Sequence, residues 1–170
     1  LQDSQIEVVY RLARACERRD QETGNHIMRM SLYSAAIAKG LNLPMEECDL
    51  IRHASPMHDI GKIAIPDSIL LKPGPLTEDE WAVMRVHAEI GAQMLSDGTS
   101  ELVRAGQVIA LTHHERWDGT GYPSAISGES IPLYGRICAL ADVFDALTSK
   151  RVYKEAWPLK RAVEEVHRKK

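Results

Sequence analysis

"HASPMHDIGKIAIP", residues 53–66, carries two kinds of residue that do not belong together. Met57, Ile60, Ile63 and Ile65 read as core, yet His58, Asp59 and Lys62 set an imidazole, a carboxylate and an ammonium group among them. The stretch closes a helical pattern that opens at Pro44, a residue suited to a first helical turn. Pro56 is expected to bend or shorten that helix before it stops near Gly61 and Pro66.

Outward from this segment the pattern is helical almost throughout. Residues 4–20 place Ile6, Val9, Ala13 and Cys16 on one stripe, and a helix over about 25–40 continues with Ile27, Met30, Ser34 and Ile37. Thr77 and Glu80 fit a capping box that starts a helix over 78–96. Further helices are predicted over 99–114 and 133–148, and a last one from near Pro158. Residues 115–132, "ERWDGTGYPSAISGESIP", are too rich in glycine and proline for either regular structure. The expectation is an all-α helical bundle of about six to eight helices with one long loop.

The 170 residues suffice for one domain and one substantial core. A net charge of −3 offers no bulk attraction to DNA or to an anionic membrane. No apolar run approaches the roughly 20 residues that cross a bilayer. Cys16, Cys48 and Cys138 are odd in number and widely spaced, which suits buried thiols in a reducing compartment. A start at Leu1 and an end in "HRKK" suggest a piece of a longer polypeptide.

Polar residues recur on the apolar lines of other segments. His87 lies on the line Met84, Gly91, Met94; His113 ends the line Leu102, Gly106, Ile109. His26 shares a face with Met30, Tyr33 and Ile37, with Glu22 one turn before it. Asp142 sits in "CALADVFDAL". A single such residue is most often a satisfied core group. Six or seven, each costing about 1–3 kcal/mol if unpaired, would consume most of a domain's stability of about 5–15 kcal/mol. Shared cations resolve the conflict. Imidazole and carboxylate without thiolate favour catalytic iron, manganese, zinc, cobalt or nickel over a closed structural zinc site. His26, His58, Asp59, His87, His113, His114 and Asp142, with Glu22 as an eighth, exceed what one ion takes, so at least two ions are implied. Two neighbouring ions suit phosphoester hydrolysis.

"HDIGK" resembles the signature of the HD phosphohydrolase superfamily, and "HHERWDGTGYP" (113–123) resembles the extension of its HD-GYP branch. "ETGNH", "IPDSILLKPGPLT" and "DVFDALTSKRVYKEAW" are similar to that branch as well. The resemblance implies an HD-domain bundle and a cytoplasmic cyclic di-GMP phosphodiesterase of bacterial signalling, yielding pGpG and then GMP. It implies two or three divalent ions, iron or manganese first, with Asp59 bridging two and Glu22 accompanying a third. It gives catalytic roles to His58, Asp59 and Lys62, the last reaching the phosphate or the bridging hydroxide. Arg151 and Lys154 match phosphate-holding positions. Gly119, Gly121, Tyr122 and Pro123 form the GYP loop, which meets either substrate or a partner protein. Asp145 either orients a ligand or is an ordinary helix aspartate. The same resemblance implies a connecting helix over 1–20, a catalytic domain over 21–170 with a shortened last helix, and an upstream regulatory domain, of receiver type. Partner GGDEF-domain proteins and a homodimer belong to the same expectation. The alternatives are a weakly catalytic cyclic-dinucleotide sensor or docking module, and a phosphodiesterase of mixed cyclic GMP–AMP.

Overall fold

Prolines and capping residues set the helix boundaries. The computed structural model describes residues 3–19, 25–149 and 155–168. Helix α1 is Asp3–Glu17, α2 is His26–Gly40 and α3 is Met45–Ala54, which starts directly after Pro44. Pro56 has no N–H to continue α3, so the chain passes into a 3-10 turn at Ser55–Met57 and a second at Ile60–Ala64. After the single turn α4 (Asp67–Leu70), the capping box forms as expected. Thr77 Oγ1 accepts from the Glu80 N–H at 3.3 Å, and Glu80 Oε2 accepts from the Thr77 N–H at 2.8 Å.

The helix predicted over 78–96 is two helices, α5 (Glu78–Arg85) and α6 (His87–Met94), separated at Val86. The Met84 carbonyl accepts the Nδ1–H of His87 at 2.7 Å, and the helical ladder is interrupted there. The apolar line therefore ends at Gly91, and Met94 is 49% exposed. Helix α7 (Glu101–Thr112) is capped by Ser100, whose Oγ accepts from the Val103 N–H. Helix α8 is Leu133–Thr148, as predicted, and α9 is Leu159–Arg168. No strand occurs among the described residues, and eight helices exceed one turn. The long loop over 115–132 holds one 3-10 turn, Gly128–Ser130.

Helix α2 packs on α3 and α8, while α7 packs on α3, α6 and α8. Between them Met30, Ala54, Met57, Leu102, Ile109, Cys138 and Ala141 form the main core. All three cysteines are buried and free. Two contacts fix the 53–66 segment. A Cβ on Gly61 would stand 1.9 Å from the His87 carbonyl oxygen and 2.5 Å from the Gly91 nitrogen, so only glycine lets the second 3-10 turn lie against α6. On the other side, Arg19, just beyond α1, donates to the carbonyls of Lys62, Ile63 and Ile65 at 3.4, 2.5 and 3.1 Å, and to Asp67 Oδ1 at 2.7 Å.

Candidate metal centre

Four imidazoles reach the interior from four different segments, each with Nδ1 already bonded to an acceptor. His58 Nδ1–H donates to Ser55 O at 2.9 Å, and His87 Nδ1–H to Met84 O at 2.7 Å. His113 Nδ1–H donates to Ile109 O and Ala110 O at 3.1 and 3.0 Å. His26 Nδ1–H donates to the Asp145 carboxylate at 2.8 Å. Carbonyl and carboxylate oxygens only accept, so each ring carries a proton on Nδ1 and turns Nε2 inward. The Pro56 interruption matters here: it sets His58 and Asp59 at the junction of two tight turns, and both neighbours reach the same interior.

These Nε2 atoms meet carboxylates in two adjoining groups. The ligand atoms of Asp59, His87, His113 and His114 lie within 4.8 Å of one another, and so do those of His26, His58 and Asp142. Asp59 joins the groups. Its Oδ1 is 3.3 Å from His87 Nε2 and 3.6 Å from His113 Nε2, whereas its Oδ2 is 3.2 Å from His58 Nε2 and 2.9 Å from Lys62 Nζ. His26 Nε2 stands 3.8 Å from Asp142 Oδ1.

The Nε2 atoms of His58, His87 and His113 and the Oδ1 of Asp59 are buried without a hydrogen-bond partner. Four such atoms, each costing about 1–3 kcal/mol when unmatched, would not persist in a core selected for packing alone. An all-imidazole and carboxylate donor set with fixed tautomers fits divalent transition ions. The electrostatics are divided. Burial disfavours a charge on His58, but the Asp59 carboxylate beside it outweighs burial and pushes the imidazole up to about 9. Burial lowers His113, and burial together with the adjacent His113 lowers His114. Asp59 is held well below the usual carboxylate range, because Lys62 and His58 outweigh the cost of its burial.

The 115–132 loop borders this centre. Tyr122 N–H donates to His114 O, Gly128 N–H to Trp117 O, and Ser124 N–H to the buried Glu115 carboxylate. Gly121 lies so close to the Glu115 and Arg116 backbone that a Cβ would come within 2.5 Å of it. Gly119 adopts φ +77°, and Tyr122–Pro123 is a cis peptide. Of the four GYP residues, Tyr122 borders the metal-ligand groups, stacked on His114 at 4.6 Å and 27°. Lys62 is only 18% exposed and turns into the centre, not into solvent. Glu22, Arg151 and Lys154 lie outside the described residues.

Of the two readings of Asp145, the structure sets it against a candidate ligand, whereas its partner Arg29, Glu17 and the Arg85 cluster escaped the sequence reading. Asp145, 1% exposed, takes both the His26 imidazole and the Arg29 guanidinium, the latter through a short Nε contact and through Nη2 at 2.9 Å. Burial disfavours its charge, but the hydrogen bonds to His26 and then to Arg29 outweigh burial and hold the carboxyl well below the usual carboxylate range. Glu17, at the end of α1, is buried in the wall of the cavity that also contains Cys16, His26, His58, Asp59 and Lys62. Its spacing of four from Ala13, on the apolar stripe, is the signal that could have found it. Finally, Arg85 lies over both Trp81 and Tyr122; both α5 residues are exposed, and no periodicity marks them.

Residues 8–170 match the family described as HD domain. Among curated proteins, the chain is 52% identical to the cyclic di-GMP phosphodiesterase response regulator RpfG of Xanthomonas campestris pv. campestris, over 96% of this chain and 43% of that protein. It is 50% identical to the 3'3'-cGAMP-specific phosphodiesterase 2 of Vibrio cholerae, over 92% of this chain and 30% of that protein. It is 46% identical to a cyclic di-GMP phosphodiesterase of Thermotoga maritima, over 97% of this chain and 45% of that protein. The chain thus spans less than half the length of these relatives. The crystal structure of a V. cholerae cyclic GMP-AMP specific phosphodiesterase, V-cGAP3, superposes with a TM-score of 0.71 at 19% identity, over 97% of this chain and 44% of that one, a likeness of fold.

Proposed function

The chain belongs to the HD domain family, and from that premise we propose that it is a metal-dependent phosphodiesterase of cyclic dinucleotides, with cyclic di-GMP as its substrate. One observation carries the reading: two adjoining imidazole–carboxylate groups share Asp59, one carboxylate oxygen toward each, with the Nε2 atoms of His58, His87 and His113 buried and unmatched. The relatives named for cyclic di-GMP phosphodiesterase activity support the substrate.

His87, His113, His114 and Asp59 would hold one divalent ion, and His26, His58, Asp142 and Asp59 a second, iron or manganese by preference. Ions bound there supply Lewis acidity toward a phosphoryl oxygen and lower the pKa of water. The chain's own residues do the remaining work. Lys62, beside Asp59 Oδ2, sets a cation where charge develops on the diester. Asp145 and Arg29 keep the His26 ring turned inward. Tyr122 walls the entrance over His114. Glu22 is proposed to accompany a third ion, and Arg151 and Lys154 to hold the substrate phosphates. Opening of one 3′–5′ linkage yields linear pGpG, and a second cut yields GMP.

A second reading, hydrolysis of 3'3'-cyclic GMP–AMP, is favoured by the similarity to a relative named for that substrate. The proposal extends to a cytoplasmic setting, to control by an upstream domain of receiver type, in keeping with the response-regulator relative, and to GGDEF-domain partners and a homodimer. Metal analysis of anaerobically purified protein, with chromatography of cyclic di-GMP and cyclic GMP–AMP digests, tests the activity. Conversion to pGpG is expected from the wild type, and loss of turnover by at least a thousandfold in the folded His58→Ala/Asp59→Ala variant. Turnover by that variant refutes the assignment; tight nucleotide binding without turnover by the wild type selects the sensor alternative.

A further inference from the structure

The metal-ligand groups account for His114 and Tyr122 but not for what lies beyond them. Tyr122 stacks on His114 at 4.6 Å; Arg85 Cζ stands 5.7 Å from the Tyr122 ring centroid and 5.9 Å from that of Trp81. His114, Tyr122, Arg85 and Trp81 are therefore successive neighbours leading from the buried ligands to the surface, where Trp81 is 40% exposed. The Arg85 guanidinium stands near two ring faces and makes no hydrogen bond or ion pair with a described residue. A planar fork beside two aromatic rings, with N–H donors that no described residue takes, suits a planar acceptor. Position separates the two candidates for that acceptor. A phosphate belongs on the ligand groups themselves, beside Lys62. A nucleobase, set off from its phosphate by a ribose, falls one ring beyond, where Arg85 and Trp81 stand.

We propose that Arg85 and Trp81 form the base-selecting edge of the site, Arg85 donating to the O6 and N7 acceptors of guanine while Trp81 offers a stacking face. This deepens the cyclic-dinucleotide reading and rests on it. Adenine presents N7 together with an N6–H donor, which cannot accept from the second arm of the fork. The site then favours cyclic dinucleotides that contain guanine over cyclic di-AMP.

The test compares kcat and KM for cyclic di-GMP, 3'3'-cyclic GMP–AMP and cyclic di-AMP, using manganese-loaded protein. Arg85→Ala is expected to lower kcat/KM for cyclic di-GMP roughly ten- to hundredfold, mainly through KM, with little change for cyclic di-AMP, so that discrimination collapses. Arg85→Lys keeps the charge without the fork and is expected to lose discrimination as well. In ion-free protein, cyclic di-GMP is expected to quench tryptophan emission, and Trp81→Phe to remove most of that quench. Equal losses on all three dinucleotides, or rescue by Arg85→Lys, would mark a phosphate contact and overturn the inference. Unchanged discrimination in Arg85→Ala overturns it alone, whereas a wild type inert on every dinucleotide removes the parent reading with it.

Discussion

His58 holds its proton to higher pH than an ordinary imidazole, since Asp59 outweighs the penalty of burial and raises it from 6.5 to about 9. Folding favours the charged form. Its contribution to the ion-free protein is therefore complete below pH 6.5 and lost as pH rises through about 9. The thermal midpoint of chelator-treated protein should decline across that window, and a flat profile would contradict the pairing. An ion that takes Nε2 must displace the same proton. Titration calorimetry of manganese in buffers of different ionisation enthalpy should show about one proton more released at pH 7 than at pH 9.5. Asp145 makes a second prediction at this scale. Asp145→Ala leaves His26 unoriented and the Arg29 guanidinium unpaired. A stability loss of about 1–3 kcal/mol by urea unfolding and a metal affinity lower by roughly 10–100-fold are expected.

The second 3-10 turn and α6 meet glycine to glycine, and that contact sets how near Asp59 comes to His87. A methyl at position 61 would drive into the His87 carbonyl. Gly61→Ala should cost about 3 kcal/mol in urea unfolding and reduce metal stoichiometry even where the protein stays folded. Much of this level was legible beforehand: α8 follows the 133–148 pattern, and the Thr77–Glu80 box is where the residues place it. The break at Val86 was not, because it answers to the His87 imidazole taking the Met84 carbonyl, a demand of the site that periodicity cannot register. The inward histidines were legible because each is an anomaly on an apolar line. Arg29, Trp81 and Arg85 were not, since charged and aromatic residues on a partly exposed helix face look ordinary until their partners, Asp145 and Tyr122, are in place.

Across the molecule, the ligand atoms come from α2, the 3-10 region, α6, the end of α7 and α8, which are the same elements that enclose the core. Ions held there fasten five stretches of chain at once. At a free-ion concentration a hundredfold above the dissociation constant, binding adds about 2.7 kcal/mol, or roughly 5–10 °C in thermal midpoint for a domain of this size. Stripping with a chelator should lower the midpoint by that amount and re-addition of manganese should restore it; an unchanged midpoint would mean the two groups do not bind ions. The Arg19 contacts have a mechanical consequence at this scale. One guanidinium bonds the carbonyls of Lys62, Ile63 and Ile65, and a carboxylate besides. Twisting or withdrawing α1 thus cannot spare that strip of chain: the first helix works as a handle whose grip includes the lysine's own carbonyl, and torque applied to the one is delivered to the other.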